Sequence, residues 1–332
     1  MLHQGRRPVQ YSKENWHKYF RLFAVITMAL AGSYIAFRIY FDFSSGGSAW
    51  NQADWLINAH GGPVRRGPFG SGLIFISDIS GIRLFDVLFI AQFGFFVLLF
   101  GSTAFVAMRL TKTFSYWLIF LSPGFFLIFW ASDTGISTRK ELIAYTAFAL
   151  LLISFFARRA APAVTVASVL VFLIAMWGNE ANILLVPAYI GTLIITLTHH
   201  EFSHRTIFAG VLIVLLGALS AGLYAIFYAQ VASSAAVCEP LTERGIDPNL
   251  CSGAISWLER SVSDDARLVA QKLNREDVYL APLAYLLVVL PVIYLISLHN
   301  HARRLLLVFL LTGLAITPLF VIAADWGRWI TM

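Results

Sequence analysis

Long apolar runs separated by shorter polar segments dominate the chain. A helix needs about 17–25 apolar residues to cross roughly 30 Å of hydrocarbon. About nine runs approach or reach that length, at 20–41, 84–108, 114–131, 142–157, 162–178, 183–198, 206–230, 279–297 and 305–324. The pattern therefore predicts an all-α fold: a polytopic transmembrane helical bundle of about nine spans with amphipathic helices in its outer loops, in which residues 1-332 form a single integral membrane domain.

The composition excludes an ordinary soluble domain. Only 13% of the residues are charged, against roughly 25% in soluble proteins, and the mean hydropathy is +0.74. The first run is interpreted as a true span and not as a cleaved signal peptide. Its apolar core is long, and no convincing small-residue cleavage site follows it.

Basic residues are distributed unevenly between the two sides that alternating spans would create. Short cytoplasmic loops are enriched in lysine and arginine, and the segment before the first span is basic. With the N-terminus in the cytoplasm, twelve of the 24 basic residues but only two of the 18 acidic residues lie inside. The net charge of +6 is thus a signal of topology and gives no support to nucleic-acid binding.

Two outer segments, 43-83 and 231-278, hold most of the polar residues. In the first, apolar residues from Leu73 to Ile82 suit one face of a short interfacial helix. A strand there is the alternative, but its open edge at the membrane surface would need pairing. In the second, apolar residues from Gly253 to Asn274 recur at three- and four-residue spacing, which predicts an amphipathic helix that caps the bundle.

Both cysteines, Cys238 and Cys251, fall in the segment 231-278. The outer side of the cytoplasmic membrane is oxidising and allows them to pair. We therefore predict a disulfide between them, with two free thiols as the alternative.

Charged residues lie where four outer loops meet the ends of predicted spans. Basic residues in short outer loops run against the usual distribution, and ionisable groups at membrane depth are candidates for function. Each alone could form a structural ion pair or extend into the headgroups, but a set on four loops favours a shared cavity. The candidates are Asp54, Arg65, Arg66, Arg139, Lys140, Glu180, Asp325 and Arg328.

These residue types suit a phosphorylated ligand. Arg65 and Arg66 stand among glycines in GGPVRRGPFG. Guanidinium groups bind phosphate in a bidentate manner, and glycine lets backbone N–H groups approach an anion. Outside the cytoplasmic membrane, the natural candidate is a polyprenyl phosphate or pyrophosphate that carries a glycan. Transfer of its sugar needs cations at the leaving phosphate and a carboxylate that accepts the proton of the acceptor hydroxyl.

No motif indicates a nucleotide, a metal or a cofactor. The sequence lacks a Gly-Lys-Ser/Thr phosphate loop, a Gly-x-Ser-x-Gly turn and a His/Cys set with metal spacing. His199, His200 and His204 lie on the predicted cytoplasmic side with one acid, and we interpret them as a polar membrane edge. The expected site therefore uses neither metal nor cofactor.

The order of the motifs resembles that of a known group. The chain carries RRGPFG after the first span, RKE and NEANILLVP at the mouths of two later helices, a cysteine-bounded outer loop and a late DWGRW. In this order it resembles the bacterial multi-span polysaccharide polymerase group (Wzy-like and EpsG-like proteins), through short motifs spread over most of the chain.

The resemblance implies a multi-pass protein of the bacterial cytoplasmic (inner) membrane that joins glycan units from undecaprenyl-pyrophosphate carriers without a metal. Carried over by position, Arg65, Arg66, Arg139 and Arg328 would face the phosphate, beside Lys140, and Glu180 or Asp325 would accept the proton. The implied partners are the polyprenyl-linked glycan, membrane lipid and other polysaccharide-export components.

Two other functions stay open. In a membrane glycosyltransferase of the large helical GT-C type, an aspartate in the first outer loop serves as the base, and Asp54 fits that place. A flippase or transporter of lipid-linked sugar would favour matching halves with broken helices. Pro123 and Pro187 interrupt apolar runs, but we find no matching halves.

The topology is tested by labelling single cysteines in a variant without the native pair. A cysteine at His60 should react with a membrane-impermeant thiol reagent added from outside, because basic residues place segment 43-83 there. A cysteine at His204 should react only after the membrane is opened. Labelling of position 60 from the cytoplasmic side alone would contradict the predicted orientation.

Overall fold

A computed structural model describes residues 11–110, 120–122, 125–133, 138–157, 159–231, 233–273, 280–298 and 302–322 of the chain. Every regular element within these ranges is helical. The thirteen α-helices found there are α1 Tyr11–Ser44, α2 Asn51–Leu56, α3 Gly67–Ser80, α4 Leu84–Leu110, α5 Phe126–Ser132, α6 Glu141–Phe156, α7 Ala161–Gly178, α8 Val186–His199, α9 His204–Phe227, α10 Ala235–Thr242, α11 Val262–Leu273, α12 Leu280–Ser297 and α13 Ala302–Ile322. Short 3-10 helices occupy Glu180–Leu185, Pro248–Ser252 and Ser256–Glu259.

Six stretches of the described chain are helical, long and apolar enough to cross a membrane. They lie in α1, α4, α7, α9 and α13 and in the continuous stretch Glu180–His199, which joins a 3-10 helix to α8. The shorter apolar helices Glu141–Phe156 and Leu286–Ser297 add to this set. The fold is thus a multi-pass helical bundle, and the count of about nine spans stays a prediction.

Helix α6 lies at the centre of the bundle and packs against α4, α7 and α8. Polar side chains at membrane depth are satisfied between these helices. The Ser168 hydroxyl donates to the carbonyl of Ala147 and bonds the Tyr189 hydroxyl at 2.7 Å, and Ser154 bonds Thr165 at 2.6 Å. Such pairing is required because a lone polar group in hydrocarbon is costly. These bonds hold α6, α7 and α8 in one register.

The first outer segment contains the short helices α2 and α3. Helix α3 is the expected interfacial helix, although it begins at Gly67, earlier than its apolar pattern. Pro68 in its first turn suits a helix start, and Gly81 in the left-handed conformation ends it. Its apolar Phe75, Ile76 and Ile79 are exposed, as an interfacial helix requires. The strand alternative for this segment is wrong.

The second outer segment contains a disulfide between Cys238 and Cys251, with 6.0 Å between their Cα atoms. The amphipathic helix expected from Gly253 starts only at Val262. The backbone of Gly253 leaves the helical region (φ −105°, ψ −111°), and Arg260 is extended, so a short 3-10 turn precedes α11. The pattern was thus right about the helix and wrong about its start.

The two outer segments pack against each other at one end of the bundle, here called the cap end. The N–H of Ala254 donates to the carbonyl of Ala49 at 2.8 Å, and Arg244 makes a bidentate ion pair with Asp78. Gly61 and Gly253 make this packing close, since a Cβ at either would overlap a backbone carbonyl of the opposite segment. The cap is therefore one packed unit built from both segments.

Two glycines on α3 give a matched test of the packing within the cap. A Cβ at Gly70 would overlap the carbonyl oxygen of Ile57, whereas a Cβ at Gly72 would meet nothing within 4 Å. Gly70→Ala should therefore destabilise the protein by about 1–3 kcal/mol through overpacking. Gly72→Ala should stabilise it by up to roughly 1 kcal/mol, because alanine has a higher helix propensity than glycine at an exposed position. Thermal unfolding in one detergent measures both, and equal effects would contradict the packing described for α3.

Candidate functional site

Arg66 lies immediately before α3 and has an unusual backbone conformation. It is left-handed, with φ 66° and ψ −4°, a region that a non-glycine residue enters at a cost of roughly 1–2 kcal/mol. Its carbonyl oxygen accepts a hydrogen bond from the ammonium of Lys140 at 3.1 Å. Strained residues of this kind concentrate at functional sites. The turn points the guanidinium of Arg66 toward Glu180.

The guanidinium of Arg66 forms a bidentate ion pair with Glu180. Its Nε donates to both carboxylate oxygens at 3.0 and 2.8 Å, and its Nη2 donates to Oε1 at 2.7 Å. Its Nη1 lies 3.6 Å from Oδ1 of Asp54. Burial alone would lower the pKa of Arg66, but the carboxylates of Glu180 and Asp54 outweigh it and raise that pKa. The group therefore stays charged at any physiological pH.

Lys140 is fully buried beneath this ion pair. Besides the carbonyl of Arg66, its ammonium faces the ring of Phe69 at 5.9 Å. Burial lowers the pKa of Lys140 to about 8, although the carboxylates of Asp54, Glu180 and Glu141 oppose that shift. Lys140 therefore holds the backbone of Arg66 from inside the protein.

Asn179 and Glu141 complete the inner wall of the site. The side-chain amide of Asn179 donates to Oε1 of Glu141 at 2.9 Å, and its Oδ1 accepts from the N–H of Ala181. Asn179 thereby caps the 3-10 helix that begins at Glu180 and fixes the start of this helix against α6. Glu141 belongs to the RKE motif at the mouth of a predicted span, whereas Asn179 was not among the candidates from the sequence although it adjoins Glu180.

Arg65 lies beside Arg66 and has a side-chain donor that is not hydrogen-bonded. Its Nη1 is 3.8 Å from Oε1 of Glu180, and its side chain is 18% exposed. Its buried Nε has no hydrogen-bond partner in the structure. An unsatisfied buried donor is costly. An anionic oxygen within hydrogen-bonding distance of this Nε would satisfy it.

Arg139 lies at the edge of the same region. Its guanidinium carbon is 5.5 Å from the ring centroid of Trp50, and 7% of the residue is exposed. The preceding carbonyl, that of Thr138, accepts bonds from the indole of Trp55 and from the amide of Gln92. These buried polar groups position the turn before α6. They were not expected from the sequence, because neither a tryptophan in a loop nor a glutamine in an apolar run indicates a contact far along the chain.

Six charged residues thus form one group, here called the charged cluster: Asp54, Arg65, Arg66, Lys140, Glu141 and Glu180. They come from three outer loops, and three acidic groups face three basic ones. Arg139 lies near this cluster. Asp325 and Arg328, the remaining candidates from the sequence, lie outside the described residues.

His199 and His200 lie at the opposite end of the bundle, where α8 ends. The imidazole Nε2 of His200 bonds the carbonyl of Ser154 at 2.8 Å, and His199 stacks on Phe155 with 4.1 Å between ring centroids. Among the residues that the structure describes, no group of three or more His, Cys, Asp or Glu could hold a metal ion. Helix packing accounts for the contacts of both side chains.

No protein-family model matches the chain, and no curated protein or solved structure shows significant similarity to it. The function is therefore inferred from the charged cluster and its chemistry.

The buried Lys140 gives a prediction on pH. Between pH 8 and 10.5 the unfolded chain binds this proton while the folded protein releases it, so stability should rise with pH across that window. Below about pH 8 Lys140 is protonated in both states, so the full cost of burying the ammonium lowers the stability of the fold. Lys140→Met removes the group, and its melting temperature should rise less over the window than that of the wild type. Lys18→Met removes an exposed lysine and should keep the wild-type slope. Equal slopes in all three proteins would contradict a buried ammonium.

Proposed function

We propose that the protein is a glycan polymerase or glycosyltransferase that uses a polyprenyl-(pyro)phosphate-linked sugar at the outer face of the bacterial cytoplasmic membrane. The observation that carries the proposal is the pair Arg65 and Arg66, which sits within a set of carboxylates at the cap end and leaves the buried Nε of Arg65 without an acceptor. Adjacent guanidinium groups and carboxylates are what sugar transfer from a phosphate requires.

The two arginines would bind the leaving phosphate. Negative charge grows on that phosphate as the bond to the sugar breaks, and fixed cations stabilise it most in a site with little water. The planar fork of a guanidinium matches two phosphate oxygens. Lys140 would act indirectly, since its ammonium is buried against the carbonyl of Arg66.

Glu180 would accept the proton of the acceptor hydroxyl. Its side chain is 23% exposed, against 3% for Asp54, so an acceptor sugar can reach it more easily. A phosphate that binds Arg66 would compete with Glu180 for the guanidinium and release the carboxylate. The hydroxyl oxygen would then attack the anomeric carbon, its proton would pass to Glu180, and the bond electrons would leave with the phosphate.

The GT-C-type alternative, with Asp54 as the base, has its own support. Asp54 lies on α2, directly after the first span, and its carboxylate is 3.6 Å from the guanidinium of Arg66. The same substrate chemistry would then use a different carboxylate. Partners in either case would be the polyprenyl-linked glycan, membrane lipid and other polysaccharide-export components.

Variants of the charged cluster test the proposal. Glu180→Gln keeps the shape of the side chain but cannot accept a proton, so glycan formation should fall about 10²–10⁴-fold. Arg66→Lys should be similarly inactive, because an ammonium cannot replace the bidentate fork. The measurement is transfer from lipid-linked glycan by purified protein, with protein level and insertion checked in parallel. Arg83→Lys is the control, since the Arg83–Asp86 pair is an exposed ion pair outside the charged cluster.

Three other outcomes would each change the conclusion. Normal activity in Glu180→Gln together with an inactive Asp54→Asn would assign the base to Asp54. Normal activity in all variants would reject the charged cluster as the active site. Purified protein that moves lipid-linked sugar across a bilayer without joining it would identify a flippase.

A further inference from the structure

An apolar groove of about 280 Å³ lies between α4, α5 and α6. Its lining is almost wholly hydrocarbon and aromatic, and includes Leu99, Thr103, Phe126, Tyr145, Ala149 and Leu152. Leu152 is 40% exposed at one side of the groove, so the groove opens toward lipid. This volume lies just below the roughly 300–1,000 Å³ typical of ligand pockets, and we take it as room for part of one hydrocarbon chain.

The charged cluster and the groove share one face of α6. Glu141 belongs to that cluster, and Tyr145, Phe148, Ala149 and Leu152 follow it at the spacing of one helical face. With a rise of 1.5 Å per residue, these side chains lie about 6–16 Å below Glu141. One stripe of α6 therefore joins the charged cluster to the apolar groove.

Helix α4 has the same arrangement. Gln92 donates to the carbonyl of Thr138 at the turn that carries Arg139 and Lys140. Leu99, Thr103 and Val106 lie on the same face of α4, further along the helix, and line the groove. Both walls of the groove thus start at the polar layer of the cap end and descend into the apolar part of the bundle.

Helix α5 forms the third wall and is only seven residues long. A continuous span was expected over 114–131, but Phe125, which precedes α5, has extended backbone with ψ 127°. Rings of α5 and α6 line the upper part of the groove. Phe126 lies 5.1 Å from Trp130 and 5.9 Å from Tyr145, centroid to centroid. Aromatic rings of this kind form a rigid apolar wall beneath a polar end.

We propose that this groove holds the isoprenoid chain next to the phosphate of a polyprenyl phosphate while the phosphate contacts Arg65 and Arg66. The identity of the ligand rests on the proposed function. A single narrow groove below one group of cations fits a lipid with one chain and a phosphate at its end. A phospholipid has two chains, of which the groove could take only one.

A photoreactive side chain reports what the groove contains. Benzoylphenylalanine at Leu152 should crosslink to undecaprenyl phosphate in phospholipid nanodiscs, and the yield should saturate as the ligand is added. The same residue at Leu170, which is 54% exposed on α7 and away from the groove, is the control and should crosslink mainly to bulk phospholipid. Undecaprenol, which lacks the phosphate, should compete poorly. Phospholipid as the main adduct at both positions would overturn the proposal.

Filling the groove gives an independent measurement. Ala149 lines the groove and is buried. Ala149→Phe should weaken undecaprenyl phosphate binding at least about tenfold, a change of about 1.4 kcal/mol. Ala167→Phe adds the same side chain at an exposed position of α7 and should bind normally. Normal binding by a folded Ala149→Phe variant would place the chain elsewhere.

The two proposals can fail separately. Saturable crosslinking at Leu152 without any sugar transfer would support the groove and reject the enzyme. Normal sugar transfer without saturable crosslinking would support the enzyme and reject the groove. If Ala149→Phe does not fold, the crosslinking pair still decides the question.

Discussion

The ion pair between Arg66 and Glu180 is the interaction on which the cap end depends. It joins the loop before α3 to the start of the stretch that leads into α8, over 114 positions of sequence. Charges removed from water must be paired, and breaking such a pair costs several kcal/mol because the remaining charge stays buried. Lys140 and Asp54 gather around Arg66 for the same reason. One guanidinium thereby sets the relative positions of three outer loops.

The charged cluster also explains why apolar helices tolerate so much charge at one end. Its acidic and basic groups balance, so the protein need not keep a large unpaired charge near hydrocarbon. The charges balance, but not every hydrogen-bond donor in the cluster has an acceptor; the Nε of Arg65 has none. A ligand anion that replaced one carboxylate at Arg66 would therefore still leave the guanidinium paired with a negative charge. This exchange links the stability of the cap to the proposed chemistry.

Packing of the cap and of the membrane helices is coupled through α6. Its first residue, Glu141, bonds Asn179 at the charged cluster, and its later side chains line the apolar groove. Close glycine contacts, such as Gly70 against Ile57, hold α3 against the loop that follows α2. In the proposed complex, a lipid with a phosphate head and one chain would meet both regions along this helix.

The sequence by itself determined the helical class, the membrane location of the long apolar runs and the residue types that make up the charged cluster. Apolar length and charge distribution are local properties, so α4 and α9 follow from composition alone. Only the tertiary structure decided which charges meet. Spacing along the chain cannot reveal that Lys140 turns inward to the carbonyl of Arg66, or that Gln92 and Trp55 hold the turn before α6. The apolar groove is equally invisible in sequence, because a phenylalanine that lines it and one that packs in the core have the same hydropathy. These features arise from contacts between distant segments, and such contacts depend on how the helices pack.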